Sequence, residues 1–224
     1  MRAIDVMVRD VVTVRPDTDV AEAIKLLEEH DVSALPVVGA GGNLVGVLSE
    51  ADLIHRVEIG TEKRRPWWLE AVTGASTLAA EFAKSHGKKV GEVMTSGATS
   101  VSEDTSLSEI AALFERNRIK RVPVVKDGKL VGVVSRSNLV QALASVVGRI
   151  DQHDEGDRQI RLELLSRLQE QTWTDFGSRN ITVADGVVHL WGLVGSEAER
   201  KALLALAESV PGVSRVCDEM IAAY

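Results

Sequence analysis

The chain has 224 residues, 45% of them hydrophobic and 26% charged, with a formal net charge of −7. That composition excludes a chain too polar to bury a core. The longest apolar runs, such as Leu44-Val45-Gly46-Val47-Leu48, have strand length, and none approaches the roughly 20 residues that span a bilayer. Charges at Arg2, Asp5, Arg9 and Asp10 interrupt the stretch where a secretory signal needs an apolar run, so the cytoplasm is the expected compartment. The one cysteine, Cys217, cannot form an intrachain disulfide and fits a reducing environment. Charge is unevenly divided. Residues 151–224 carry seven Lys/Arg against 13 Asp/Glu, a balance of −6 that leaves −1 for the rest. An acidic segment repels nucleic-acid phosphates and anionic lipid headgroups, so nucleic acid is not an expected partner.

An internal duplication organises the first two thirds of the chain. Val6-Met7 aligns with Val93-Met94 at an offset of 87, which carries Val14 onto Val101, Asp17-Thr18 onto Asp104-Thr105, and Leu35-Pro36-Val37-Val38 onto Val122-Pro123-Val124-Val125. After a turn one residue longer in the first copy, Leu44-Val45-Gly46-Val47-Leu48-Ser49 meets Leu130-Val131-Gly132-Val133-Val134-Ser135 at an offset of 86. Each copy predicts, in chain order, a short strand (Val11-Val12-Thr13-Val14; Thr99-Ser100-Val101) and an acidic helix start (Pro16-Asp17-Thr18; Glu103-Asp104-Thr105) suited to N-capping. An amphipathic helix follows, then a β-branched strand opened by X-Pro-Val-Val, a glycine-bearing hairpin turn, and a second strand that ends at Ser49 or Ser135. Asp52-Leu53-Ile54 and Asn138-Leu139-Val140 continue into a closing helix. The fold class is α/β (α+β), built on two βαββα units.

At this point the residues resemble a tandem pair of CBS domains, modules that bind adenosine-containing ligands. The resemblance rests on Asp5-Val6-Met7, Thr13-Val14, Leu35-Pro36-Val37-Val38 and Gly46-Val47-Leu48-Ser49-Glu50-Ala51-Asp52, with their counterparts in the second copy. It implies CBS domains over residues 1–56 and 91–148, packed sheet to sheet as a pseudo-symmetric disc with two clefts, and discs that pair into a homodimer. A lone βαββα unit leaves an apolar sheet face that a partner must cover, which agrees with such packing. The resemblance assigns Asp52 to the two ribose hydroxyls of AMP, ADP or ATP, with Ser49 three residues before it and backbone near Thr13, Val14, Leu35 and Pro36 edging the adenine. In the second copy the corresponding positions are Pro123, Ser135 and Asn138, and Asn138 lacks the charge. Lys120 and Arg121 stand where the first copy has Ser33 and Ala34, with Arg118 close by, and supply cations suited to phosphates. The two clefts are therefore expected to differ. Ser49 and Asp52 also suit simple capping of the next helix, and the basic cluster also suits a solvated surface.

Residues 57–90, between the copies, are too many for a simple linker. Pro66 suits the first turn of a helix running to about Ala83, with Leu69, Val72, Leu78 and Phe82 as its apolar stripe. Lys63-Arg64-Arg65-Pro66-Trp67-Trp68 suggests a patch against a membrane interface or a base, while flanking Glu58, Glu62 and Glu70 favour packing on the disc or a dimer mate.

A polar linker over 149–156 precedes a different pattern. Ile160, Leu164, Leu165 and Leu168 share a helical face, and two apolar strands flank an Asp185-Gly186 turn of type I′. Ser196 caps a helix to about Ser209, and a strand closes the order αββαβ. Asp-Gly-Val-Val-x-Leu-x-Gly and Val-Pro-Gly-Val-x-x-Val resemble a BON domain over 157–224, which implies a membrane, protein or other ligand as its partner. Gly192 reads as a close approach of helix to sheet, and Trp173 and Trp191 read as core or rim aromatics.

No phosphate-binding loop, H-E-x-x-H or C-x-x-C pattern is present, the five histidines lack ligand spacing, and Cys217 sits in a strand pattern. The expectation is a regulatory sensor without enzymatic activity or catalytic cofactor, relaying nucleotide occupancy to the BON domain or a partner. The alternative is a structural adaptor at the membrane or cell envelope, with the CBS pair as a dimeriser.

Overall fold

In the computed structural model the described residues are 1–61, 74–146, 155–174 and 180–223. The Lys63–Trp68 patch, Leu69 and Val72 lie outside them, as does most of the 149–156 linker. Two compact units result, and neither follows the order of the copies. One joins Val12–Thr99 to Asp127–Leu130, and the other joins Met1–Val11, Ser100–Lys126 and Val131–Tyr224. Each Val-Met segment thus sits in the unit of the other copy.

The chain opens on α1 (Ala3–Val6), which packs with the second copy through Ala3, Val6 and Met7. In the first-copy unit, Val14 replaces the expected strand with a single parallel bridge: its N–H donates to Pro36 O at 3.1 Å and its carbonyl accepts from Val38 N at 2.9 Å. Pro16 has no N–H to extend that ladder. Thr18 does not cap the helix either. Its Oγ1 accepts from Arg15 N at 3.0 Å and closes the preceding turn, as Thr105 Oγ1 does for Ser102 N at 3.1 Å. Helix α2 (Val20–Glu29) begins after Asp19, and β1 (Ala34–Val38) and β2 (Leu44–Ser49) form an antiparallel hairpin with Ala34 opposite Ser49. Helix α3 (Glu50–Leu53) leaves β2 at once. Helix α4 (Ala75–His86), α5 (Val90–Val93) and β3 (Thr95–Ser96) follow, and β3 pairs with β2. Phe82 is exposed and stacks on His86 at 3.9 Å, so it does not join a buried stripe; the side chain of Leu78 is not among those described.

The second copy repeats the plan with β4 (Val101–Ser102), α6 (Leu107–Asn117), β5 (Arg121–Lys126), β6 (Lys129–Ser135) and α7 (Arg136–Val146). Asp127 and Gly128 both have positive φ, the geometry of the tight turn that joins β5 to β6. Ser106, not the Glu103–Thr105 stretch, caps α6, accepting from Glu109 N at 3.2 Å while Glu109 reaches back to Ser106 N. Leu107, Ile110 and Phe114 bring the helix onto β5 and β6 through Val122, Val124 and Val134.

The third domain has the expected αββαβ order: α8 (Glu155–Gln169), β7 (Asn180–Ala184), β8 (Val187–Val194), α9 (Glu197–Glu208) and β9 (Arg215–Ala222). Asp185 and Gly186 both have positive φ, as a type I′ turn needs. Ser196 Oγ accepts from Glu199 N at 3.1 Å and caps α9. Ile160, Leu164 and Leu168 bury against Ile181, Val188, Leu190 and Leu203. Gly192 adopts φ +121, a backbone conformation that favours glycine. Trp191 is half-buried at the rim, donating to Thr182 Oγ1 at 3.0 Å, and the exposed Trp173 donates to Gln171 Oε1 at 2.9 Å.

Candidate functional site

In the first copy the end of β2 and the start of α3 form one polar junction. Asp52 stands at the third position of α3, and its Oδ2 accepts from Ser49 N at 3.0 Å and Ser49 Oγ at 2.8 Å. Its Oδ1 accepts from Thr95 Oγ1 at 2.9 Å and Lys84 Nζ at 3.2 Å. The carboxylate is nearly buried at 10% exposure, whereas the Lys84 side chain is 45% exposed. Ser33 O accepts from Glu50 N, which ties the start of β1 to the same junction. Leu35, Pro36 and Val14 are buried, and both backbone groups of Val14 are engaged with Pro36 and Val38. Thr13 is half-buried beside them.

Lys84 is positioned by Arg56, whose guanidinium donates to Lys84 O at 3.2 Å and Gly87 O at 2.8 Å and pairs with Glu58. The guanidinium beside Glu58 holds that carboxyl below the usual range. A Cβ on Gly87 would stand 2.8 Å from Ala83 O, so glycine is required where the chain leaves α4.

In the second copy Ser135 N and Ser135 Oγ donate to Asn138 Oδ1, each at 2.8 Å, and Arg136 N donates to Lys120 O at 3.0 Å. The backbone of Lys120 therefore abuts the Ser-x-x-Asn junction, while its side chain is exposed, Arg121 half-buried and Pro123 buried. Asn138 is 5% exposed and turns its amide inward, donating to Gln141 Oε1 at 3.3 Å. The same oxygen accepts from Asn180 Nδ2 of the third domain at 2.8 Å. Asn180 Oδ1 in turn accepts from Ile181 N at 3.0 Å and Arg161 Nη2 at 3.4 Å. Arg161 is almost fully buried and donates to Ile181 O at 2.7 Å, Ile4 O at 3.0 Å and Met7 O at 2.7 Å. Burial lowers its pKa to about 10, with Arg9 adding to the effect and Asp5 opposing it, so it remains a cation at neutral pH. Arg158 adds a salt bridge to Asp5 at 3.0 Å.

A groove of about 620 Å³ lies on the third domain, with Asp157, Glu163 and Asp185 among its lining. Asp157 accepts from Asp185 N and Gly186 N and so supports the turn. Among the described residues no His/Cys/Asp/Glu group is arranged to hold a metal ion, and no helix is long and apolar enough to cross a membrane.

Sequence reasoning missed Lys84, Thr95 and Gln141. One signal was available: at the offset of 87, Thr95 corresponds to Val8, so the copy with the carboxylate has a hydroxyl in the segment facing it and the copy with the amide has none.

Two αββα units with a Ser-x-x-Asp or Ser-x-x-Asn junction, followed by an αββαβ domain, define a duplicated α/β module with an appended domain. The CBS domain family model matches residues 3–59 and 90–145, the BON domain model matches residues 156–223, and the chain belongs to the CBS domain family. It is 34% identical over 143 residues to the chloroplastic CBS domain-containing protein CBSX1 of Arabidopsis thaliana, covering 61% of each chain. It is 29% identical over 136 residues to the CBS domain-containing protein YhcV of Bacillus subtilis, covering 60% of this chain and 80% of that one. Among solved structures it is similar to CBSX2 in complex with AMP, at 32% identity and a TM-score of 0.57 over 65% of this chain and 97% of that one; CBSX2 is also from Arabidopsis thaliana. The chain spans about three fifths of the length of the curated relatives CBSX1 and CBSX2.

Proposed function

We propose that this chain is a non-enzymatic, cytoplasmic sensor that binds an adenine nucleotide in its CBS clefts, at the Asp52 junction and more weakly at the Asn138 junction, and relays occupancy to its BON domain or to a partner. The observation that carries the reading is the Asp52 carboxylate at a strand-to-helix junction beside Ser49, Thr95 and Lys84, in a chain similar to a protein solved with AMP. A carboxylate is the acceptor that two vicinal ribose hydroxyls need. The chain Asn138, Gln141, Asn180, Arg161 supports the relay, because it links the second junction to the BON domain by direct hydrogen bonds. The second junction, with its amide turned toward Gln141, is the weaker nucleotide site of the two.

Exposed Val140 and Leu143, one turn apart on α7, support pairing with a second copy. Sedimentation of the full chain, with Val140→Glu and Leu143→Glu as monomeric controls, tests the homodimer. Isothermal titration of the full chain with AMP, ADP, ATP and S-adenosylmethionine tests the sensor. Saturable heat with at least one, weakened in Asp52→Asn, is expected; flat traces with all four would overturn the reading.

A second reading has its own observation. Leu193 and Ile221 face each other across β8 and β9 and are both exposed, an apolar pair suited to a membrane or protein partner of the BON domain. Liposome co-sedimentation that is lost in Leu193→Glu would favour this adaptor role.

A further inference from the structure

We propose that Lys84 is a built-in competitor for the Asp52 carboxylate, so that this junction takes phosphorylated nucleosides in preference to neutral ones. The inference rests on the sensor reading above and adds how the site selects among adenosine compounds. A carboxylate offers about four acceptor positions. All four are filled at Asp52, two on Oδ2 by the N–H and hydroxyl of Ser49 and two on Oδ1 by the Thr95 hydroxyl and the Lys84 ammonium. The Ser49 pair is the helix cap and stays with the helix. Ribose hydroxyls must therefore displace the groups on Oδ1.

The two displaced groups lose different things. The Thr95 hydroxyl can rotate and donate elsewhere, but an ammonium released from its carboxylate has lost its counter-charge. Lys84 is half-exposed on a flexible stem, while its backbone is held by the buried guanidinium of Arg56. The ammonium is thus tethered at the site and free to swing. A ligand that carries a phosphate supplies a new counter-anion, and a neutral nucleoside does not. The discrimination resides in a residue outside the two stretches that match the CBS family model, 3–59 and 90–145.

The test is calorimetric titration of the full chain and of Lys84→Gln with AMP and with adenosine, Lys84→Arg serving as the charge-retaining control. In Lys84→Gln adenosine should bind about two- to fivefold tighter, the weight of a half-exposed ion pair, and AMP should bind weaker by a similar factor. Lys84→Arg should keep the preference for AMP. Raising the salt should strengthen adenosine binding to the wild-type chain and weaken AMP binding, because salt screens both the competing pair and the phosphate contact. An AMP-to-adenosine ratio that is the same in the wild type and Lys84→Gln would overturn the role of Lys84 and leave the sensor reading standing. Absence of binding by either compound to any of the three proteins would overturn this proposal, and flat traces with ADP, ATP and S-adenosylmethionine as well would overturn the sensor reading too.

Discussion

Met7 Sδ lies 2.8 Å from where a Cβ on Gly132 would stand, and Val8 O lies 2.9 Å from the same point. Gly46 has the same relation to Met94 Sδ at 2.7 Å and Thr95 O at 2.8 Å. The glycine of each Gly-Val-Leu/Val-Ser element is thus explained by the methionine segment that crosses it. Gly132→Ala should destabilise the chain by about 1–3 kcal/mol, since a backbone carbonyl cannot step aside as a side chain can. Urea unfolding of the variant checks this, and an unchanged midpoint would remove the steric account.

Asn138→Asp separates two roles of that side chain. The carboxylate can still accept from Ser135, as Asp52 accepts from Ser49, so the helix cap survives. It cannot donate to Gln141, whose Oε1 is held toward Asn138 by the amide of Asn180, itself oriented by Ile181 N. The loss of one buried donor is worth about 1–3 kcal/mol. Hydrogen exchange of residues 180–184 should accelerate about tenfold or more in the variant, and unchanged protection there would break the proposed relay.

Arg161→Met leaves the carbonyls of Ile4, Met7 and Ile181 buried without their donor. The expected loss is about 3 kcal/mol or more, with Arg161→Lys intermediate because an ammonium lacks the planar fork that serves several carbonyls at once. Differential scanning calorimetry measures both, and a variant as stable as the wild type would show that the guanidinium contributes no net stability.

The Arg200 guanidinium, bonded to Asp218 at 2.6 Å, holds that carboxyl below its usual range, and Met220 N adds to the effect. A carboxyl with a lowered folded pKa contributes stability that is present above its unfolded pKa near 3.8 and is lost as pH falls through the folded value. Asp218→Asn should therefore reduce stability at pH 7 by about 1 kcal/mol and flatten the decline below pH 4. Unfolding curves across that range test it; parallel declines in both proteins would count against the pair.

The duplicated pattern was legible in the amino acids because each copy repeats its apolar period and its turn residues at one offset. Asp185-Gly186 and Asp127-Gly128 announced their turns, since few other dipeptides accept positive φ at both positions. The expected strand at residues 11–14 failed because propensity cannot foresee that Pro16 and the Thr18 turn leave room for one bridge. Capping was misplaced by one residue for the same reason: Thr18 and Thr105 had a nearer backbone partner in their own turn, and the caps are Asp19 and Ser106.

What the amino acids alone determined was local and periodic: two αββα units, an αββαβ domain, and Ser49-x-x-Asp52 and Ser135-x-x-Asn138 at matching junctions. What only the tertiary structure decided was which distant groups meet those junctions. It exchanged the two Val-Met segments between the units, set Lys84 and Thr95 on Asp52, and linked Asn138 through Gln141 to Asn180 of the BON domain. Period and turn chemistry act over a few residues, whereas these contacts join positions tens of residues apart and depend on how whole elements pack.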